Sequence, residues 1–413
     1  MNLSLKTKYP EDKLVLFVFL SQIGYIFYLN IETFLGNMIS LLFTTLFYYV
    51  VLRNLKASGT FIQNCLLFWI IVITINTFLF NTNDTYEGEL TTLLIRFFVS
   101  PLFMPSLLLL VVYALPKSRP YNFRYFFLIN KISLIGFFVL FPFAFYSMIH
   151  YDYSMTVYEG SGGYQDFITR STLGISSLVP PMFFVYLKKY LPTKLWRLYL
   201  ISILLSILLL IYLGRRGSSL VSVIYLLSAW FLYLFCNKKS NKFVMILLLL
   251  LCICAVFIMY MNTKDTLFAV ITERGLDDTR SGVEKNFYKD LTSTDWLIGK
   301  GWFGTYYDSI FNARRSSIET GYLSLILRGG IIYLFLYIMV ILFSAFKGIF
   351  KSNNILLKSF GLIMILSLIE LKVYGWPMMN MNYYIIWLGV YMCNKKYYRE
   401  MNDISIKEKL FKI

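Results

Sequence analysis

Residues 195–235 read LWRLYLISILLSILLLIYLGRRGSSLVSVIYLLSAWFLYLF. Two apolar runs, 195–213 and 218–235, flank a turn of four residues, Gly214-Arg215-Arg216-Gly217. Each run is close to the ~20 residues that a helix needs to cross ~30 Å of hydrocarbon. Neither alternates apolar and polar residues, so each reads as a helix and not as a strand of a membrane barrel. The local unit is a helical hairpin with a tight, doubly basic turn.

Working outward, further runs of spanning length lie at about 14–31, 34–52, 61–80, 93–115, 125–149, 168–187, 243–261, 320–346, 355–373 and 376–394, which makes twelve in all. The last begins across Pro377 and Asn380, and Pro101, Pro105, Pro180 and Pro181 are expected to kink or break the fourth and sixth. The 413 residues are 58% hydrophobic and only 15% charged, against about a quarter charged in a soluble domain. Mean hydropathy is +0.64. These values exclude a soluble enzyme and a disordered chain. The expected fold is an all-α polytopic membrane protein of about 12 transmembrane helices. One membrane domain covers 1–413, and an extracytoplasmic loop subdomain, 262–318, is inserted between spans nine and ten. The first run lacks a small-residue cleavage site and reads as a retained anchor.

The net charge of +17 would suggest nucleic acid in a soluble protein. Its distribution gives a different reading. Lys6, Lys8 and Lys13, then Arg53 and Lys56, Lys117 to Arg124, Lys188 to Arg197, Lys238 to Lys242, Lys347 to Lys358 and the tail from Lys395 all fall on alternate loops. The intervening loops carry Glu32, Asp84, Glu87 and Glu89, and then Asp152, Glu159 and Asp166. By the positive-inside rule both termini are expected in the cytoplasm, and no nucleic-acid partner is expected. The five cysteines lie in apolar runs or at their ends, and His150 has no companion His or Cys. Neither a disulfide, a metal site nor a cofactor is therefore expected.

Two outer segments break the alternation. One is the Arg215-Arg216 turn. The other is the long loop, with Lys264, Arg274, Arg280, Lys285, Lys289, Lys300, Arg314 and Arg315. Long external loops cross a membrane regardless of charge, but a turn of four residues has no such excuse. An external anion is the simplest ligand for it. Ser218 or Ser219 can cap the following helix, whose N-terminus favours an anion, and guanidiniums bind phosphate in a bidentate manner. Snorkelling of the arginines to headgroups is the simpler alternative.

Within the loop, 266–276 and 283–291 read as short interfacial helices. Asp277-Asp278-Thr279-Arg280 precedes the second, so Arg280 is either a phosphate ligand or half of a surface ion pair. Residues 296–307 combine Gly299, Gly301 and Gly304, suited to a close backbone approach, with Trp302 and Tyr306, which can stack on sugars or simply anchor an interface. Arg314-Arg315-Ser316-Ser317-Ile318-Glu319-Thr320-Gly321-Tyr322 opens span ten. Ser316 and Glu319 have capping-box spacing; alternatively Glu319 is a general base at the outer face, with Tyr322 against the sugar. Arg328 is expensive in lipid, and Glu370 and Lys372 are candidate partners for it. Glu370 is also the rival base.

In this order the motifs resemble the Wzy-type O-antigen polymerase and ligase superfamily. An SRG-like motif starting a span corresponds to Arg215-Arg216-Gly217, and a loop arginine opening a helix corresponds to Arg280. A G-x-G-x-G-like run corresponds to Gly299, Gly301 and Gly304. The His-Asn-x-Tyr-Leu of ligases corresponds to Glu319-Thr320-Gly321-Tyr322-Leu323, followed by Gly329-Gly330. The resemblance covers about residues 195–345, and Glu319 in place of the ligase histidine departs from it. That departure favours polymerase over ligase.

The resemblance implies a GT-C-like helical fold and a metal-independent glycosyltransferase in the bacterial inner membrane, acting at its periplasmic or extracytoplasmic face. It would polymerise undecaprenyl-diphosphate-linked repeat units into surface polysaccharide, either O-antigen or capsule, with a chain-length regulator among its partners. Arg215, Arg216, Arg280, Arg314 and Arg315 would hold diphosphate, Glu319 would be the base, and Tyr322, Trp302 and Tyr306 would contact sugar. The rivals are a flippase for the same lipid-linked units, for which no internal repeat is evident, an O-antigen ligase, and a membrane acyltransferase, for which His150 has no supporting constellation.

Overall fold

A computed structural model describes residues 9–31, 34–56, 59–80, 104–116, 120–150, 181–212, 216–236, 281–309, 312–316, 318, 320–373 and 380–411. The span expected at 243–261, residues 93–103 of the one at 93–115, residues 168–180 of the one at 168–187, and the helix expected at 266–276 lie outside the described residues.

The described chain is mostly helical. Helices α1 (Pro10–Ile31), α2 (Phe34–Arg53) and α3 (Phe61–Phe80) match the first three apolar runs. A 3-10 turn, Met104–Leu110, leads into α4 (Val111–Ala114), so Pro105 falls in irregular helix, as its ring requires. Next come α5 (Arg124–His150) and α6 (Pro181–Tyr186), the latter opened by Pro181, where a missing N–H costs nothing. Helices α7 (Thr193–Tyr212) and α8 (Arg216–Cys236) form the hairpin quoted above.

Three of these helices, α3, α5 and α7, and a later one, Gly321–Phe350, contain stretches long and apolar enough to cross a membrane. Their exposed side chains agree. Phe61, Phe68, Ile71 and Ile75 line one face of α3; Ile132, Ile135, Val139 and Phe143 line α5; Leu198, Ile201, Leu204 and Leu208 line α7. The spacing of three, four or seven residues turns one apolar stripe of each helix away from protein. Stripes of that extent belong in lipid, not water. The chain is a membrane-embedded helical protein.

The loop subdomain contains α9 (Ser281–Asp290), α10 (Ser293–Ile298) and an antiparallel hairpin of β1 (Tyr306–Asp308) and β2 (Ala313–Arg315). Helix α9 matches the helix expected at 283–291. A capping box starts α10: the Asp295 N–H donates to Thr292 Oγ1 (3.2 Å) and the Thr292 N–H to Asp295 Oδ2 (3.0 Å).

Helix α11 (Gly321–Phe350) follows, but Gly330 interrupts it at φ 70° and ψ −175°. The roughly 20 residues after the break rise ~30 Å, a full crossing by themselves. The residues before it, including Leu323 to Arg328, are buried in protein. The span expected at 320–346 is thus one apolar helix, Gly321–Phe350, broken at Gly330.

Helices α12 (Ile355–Val373), α13 (Met381–Asn394), α14 (Lys396–Glu400) and α15 (Asp403–Leu410) complete the chain. The last apolar run was expected from 376, yet α13 begins at Met381. Asn380, which interrupts the run, is the helix cap, and its Oδ1 accepts from the Tyr383 N–H (3.0 Å). Gln22 of α1 accepts from the Met381 N–H (3.1 Å), so another orphan donor is met by a neighbouring helix.

The loops separate onto two ends. At one, here the tail end, segments 120–123, 187–190, 351–356 and 395–411 meet. The Tyr121 N–H donates to Tyr398 Oη (2.9 Å), and Asn354 Nδ2 donates to the carbonyls of Tyr398 (2.8 Å) and Met401 (2.9 Å). Asp403 accepts from Lys189 Nζ (2.6 Å), the Ile355 N–H (2.8 Å) and the Tyr190 hydroxyl. Phe411 stacks between Phe123 (5.1 Å) and Tyr190 (5.0 Å). These segments belong to the basic set of loops. The other end, the loop end, carries residues 281–316.

Candidate functional site

The loop end is built on a backbone joint. At the break in α11 three successive carbonyls accept donors from outside the helix. The Lys300 N–H donates to Leu327 (2.7 Å), the Gly301 N–H to Arg328 (3.0 Å) and Trp69 Nε1 of α3 to Gly329 (2.8 Å). Gly299 and Gly330 face each other across this joint, both at positive φ. A Cβ on Gly330 would lie 2.0 Å from the Leu297 carbonyl oxygen, and one on Gly299 would lie 2.4 Å from the Arg328 carbonyl carbon. The close backbone approach expected of the glycine-rich run is real, and its partner is the Gly329-Gly330 break.

Trp302 and Tyr306 are structural. Trp302 is 1% exposed; its backbone N–H donates to Thr77 Oγ1 (2.9 Å) and its Nε1 to Thr74 Oγ1 (3.0 Å), which ties the loop to α3. Tyr306 is fully buried, edge-on to Phe287. Neither presents a face to a sugar. The reason is elementary: an aromatic ring beside a glycine turn packs wherever the turn lets it reach the core. The exposed rings are Tyr307 on the hairpin and Tyr288, which is stacked on Trp296 (5.8 Å). Burial, and after it the Glu284 carboxylate, raise the Tyr288 hydroxyl above its ordinary range, so it remains a donor at neutral pH.

The hairpin separates the two arginines offered as alternative ligands of the diphosphate, Arg314 and Arg315. Tyr306 pairs with Arg315 and Tyr307 with Arg314. Successive strand residues point to opposite faces. Arg315 lies on the inner face, where its Nη1 donates to Asp308 Oδ2 (3.1 Å); Asp308 is fully buried and also accepts from Asn286 Nδ2 (2.9 Å). Arg314 lies on the outer, exposed face with Tyr307. One phosphate cannot be clamped by both. Arg314 is the available cation, and Arg315 is held by a buried carboxylate.

Arg215, Arg280 and Glu319 lie outside the described residues. Arg216 opens α8 and so stands at a helix N-terminus, as expected. Thr320, the residue after Glu319, donates its Oγ1 hydroxyl to Oε1 of Glu284, four residues after Arg280, which joins the first turn of α9 to the cap of α11. Glu284 was not singled out in the sequence, because an acid in the first turn of a helix has an ordinary role there. Tyr322 donates its hydroxyl to the Leu368 carbonyl and so bridges α11 to α12.

The pairing offered for Arg328 is not the one found. Arg328 leans back along its own helix, and its Nη1 donates to the Ser324 carbonyl (2.9 Å) and hydroxyl. Helical side chains tilt toward the N-terminus, which favours this local partner over a distant acid. Glu370 instead accepts from Tyr225 Oη of α8 (3.0 Å), and Lys372 is exposed.

No family model matches this chain, no curated protein matches it, and no solved structure matches it.

Proposed function

We propose that this chain polymerises lipid-linked oligosaccharide repeat units by glycosyl transfer at the loop end. In this reading the loop end faces outward from a bacterial inner membrane. About twelve helices form a GT-C-like bundle, and both termini are cytoplasmic. The donor is a glycan on undecaprenyl diphosphate and the acceptor is a repeat unit on the same lipid.

The observation that carries the reading is the convergence at the loop end. Glu284, four residues after Arg280, bonds Thr320, the residue after Glu319. The arginine hairpin leads into the same strand-to-helix junction. The glycine run and the downstream Gly329-Gly330 pair, separate motifs in the family resemblance, are two halves of one joint. Motifs that are individually short thus belong to one region, at the opposite end from the segments of the basic loops.

The chemistry follows from the residues. An acceptor hydroxyl attacks the donor's anomeric carbon, the bond from that carbon to the phosphate oxygen breaks, and undecaprenyl diphosphate departs with the bonding electrons. Arg216, Arg280 and Arg314 stabilise the charge that grows on the diphosphate. The hydroxyl proton passes to Glu319. With arginines carrying the charge, the scheme requires no metal. A chain-length regulator is the natural protein partner.

The test is the glycan length profile of cells lacking the gene, complemented with wild type, Glu319→Gln or Arg216→Lys. Wild type is expected to restore a ladder, while the null strain and both variants show a single capped unit at normal protein level. Lysine cannot replace a bidentate guanidinium, hence the second variant. Long chains in the null strain would refute the polymerase, and lipid-linked units trapped on the cytoplasmic leaflet would point to the flippase.

A further inference from the structure

Helix α9 has two faces. Val283 and Phe287 turn into a small core shared with Tyr306, Leu323 and Leu327. Lys285, Tyr288 and Lys289 are exposed on the other face. Their i, i+3 and i+4 spacing makes them neighbours on the helix surface. The Tyr288 ring stacks on Trp296 of α10, with the ring planes 2° apart. Leu297, the next residue, is 54% exposed although α10 packs against α11.

The depth of this edge follows from α3, whose apolar stretch ends at Phe78. Trp69, which bonds Gly329, lies nine residues before that end, and Thr74, which bonds the Trp302 ring, lies four before it. At 1.5 Å per residue these anchor points are ~13 Å and ~6 Å inside the stretch. The end of α10 therefore sits beside hydrocarbon and not above it. The Leu297 carbonyl backs onto Gly330. Ile331, the first residue past the break, opens the exposed apolar stripe Ile331, Phe335, Leu342 and Phe346. The lipid-facing surface of α11 thus continues onto Leu297, and from there through Trp296 and Tyr288 to the two lysines.

We infer that the α9–α10 edge is seated in the bilayer surface at the loop end. Leu297 lies among acyl chains, the Tyr288–Trp296 pair at the headgroup boundary, and Lys285 and Lys289 on anionic phospholipid headgroups. That sequence follows the layers of the membrane: an aliphatic side chain in hydrocarbon, amphipathic rings where lipid meets water, and ammonium groups at the phosphates. The long lysine stems pass the rings and keep the charge in the polar layer. Charge selects an anion as the ligand, and depth selects an anion carried by lipid. The seat also accounts for two lysines that depart from the positive-inside pattern. It requires only that the apolar stripes face lipid, and it stands apart from the polymerase reading.

The experiment is hydrogen exchange of the full-length protein in nanodiscs, followed on peptides covering 285–298. The lipid is phosphatidylcholine, alone or mixed equally with phosphatidylglycerol. Adding phosphatidylglycerol at low salt is expected to slow exchange there roughly tenfold, and high salt to remove most of that difference. The double variant Lys285→Gln, Lys289→Gln should exchange alike in both lipids. Both side chains are exposed, so this variant keeps its fold, and peptides from α11 serve as the internal control. The seat is read separately with phosphatidylcholine brominated high on its acyl chains, which should quench wild type by a larger fraction than Trp296→Phe. Wild-type exchange that ignores lipid charge would overturn the headgroup site. Slowing by soluble repeat-unit oligosaccharide in detergent would do the same, by making the edge a glycan surface. Equal quenching of wild type and Trp296→Phe would refute the seat itself.

Discussion

The two ends of the molecule are closed by different mixtures of bonds. At the loop end, backbone meets backbone: Lys300 and Gly301 donate to carbonyls at the break in α11, and Gly299 and Gly330 touch where no side chain fits. At the tail end, side chains reach backbone as well: Asn354, Tyr398 and Asp403 collect N–H and carbonyl groups from three segments, beside backbone bonds from Phe123 to Leu410 and from Asn353 to Arg399. A backbone joint depends on conformation and admits almost no substitution. A side-chain clasp depends on chemistry, and a change of protonation can loosen it. The joint fixes the loop subdomain, which carries Arg314, to α11. The clasp ties down a polar tail.

The comparison is most exposed at Gly330. Gly330→Ala places a Cβ in the Leu297 backbone and forces a residue with a side chain into a glycine-only region, at a cost above about 3 kcal/mol. The expected outcome is little folded protein in detergent, read by monodisperse yield and melting temperature. A wild-type melting curve would show that the joint is soft. Asn354→Ala is the matching strike at the clasp. It strips two buried carbonyls of their donor and the Leu357 N–H of its acceptor, and is expected to cost about 2–3 kcal/mol. The loss should appear as a lower melting temperature with the loop end intact.

The hairpin permits a finer division within the loop end. Arg315→Ala leaves the Asp308 carboxylate buried beside Asn286 alone, at about 2 kcal/mol, whereas Arg314→Ala should leave stability unchanged and lower polymerisation. If both variants lost activity at unchanged stability, the two-faced hairpin would be wrong.

Proton linkage sharpens the contrast next. Burial alone would raise the Asp403 carboxyl, but hydrogen bonds from Lys189, Tyr190 and the Ile355 N–H outweigh it and hold the carboxyl below its usual range. A lowered folded-state value means that the clasp is fully stabilised above the ordinary carboxylate value of about 3.9 and loses this contribution as pH falls through the folded value. Hydrogen exchange in 403–410, corrected for intrinsic rate, should therefore accelerate at pH 3 relative to pH 6, and Asp403→Asn should abolish the difference. The joint, which has no carboxylate among its bonds, should not respond. The smallest effect is expected from Thr74→Val, which removes one bond to Trp302 Nε1 for about 1 kcal/mol of melting stability.

Much of the fold was legible because its signals are local. Run length and composition placed α1, α2, α3, α5, α7 and α8 within a few residues, and charge alternation foretold which segments share the tail end. The break at Gly330 was not legible as a break, since an isolated Gly-Gly pair in an apolar run is common in membrane helices. Nor was the true start of α13, because Asn380 reads as an interruption until its cap bond to Tyr383 is seen. Among site residues, Arg216 at a helix start was foreseeable from the turn that precedes it. Trp302 and Tyr306 were misassigned because exposure is a property of packing, and residue type carries no record of it.

What the sequence by itself determined is the solvent this protein lives in, the axis of most of its helices and the grouping of its basic loops. Each follows from free energies that are sums over neighbouring residues. What only the tertiary structure decided is which groups face one another: Gly299 with Gly330, Arg315 with Asp308 but not Arg314, and Glu370 with Tyr225 instead of Arg328. These meetings depend on the rotation of each helix about its axis and on the twist of a three-residue strand. Those are set by the packing of the whole bundle, and no stretch of chain contains them.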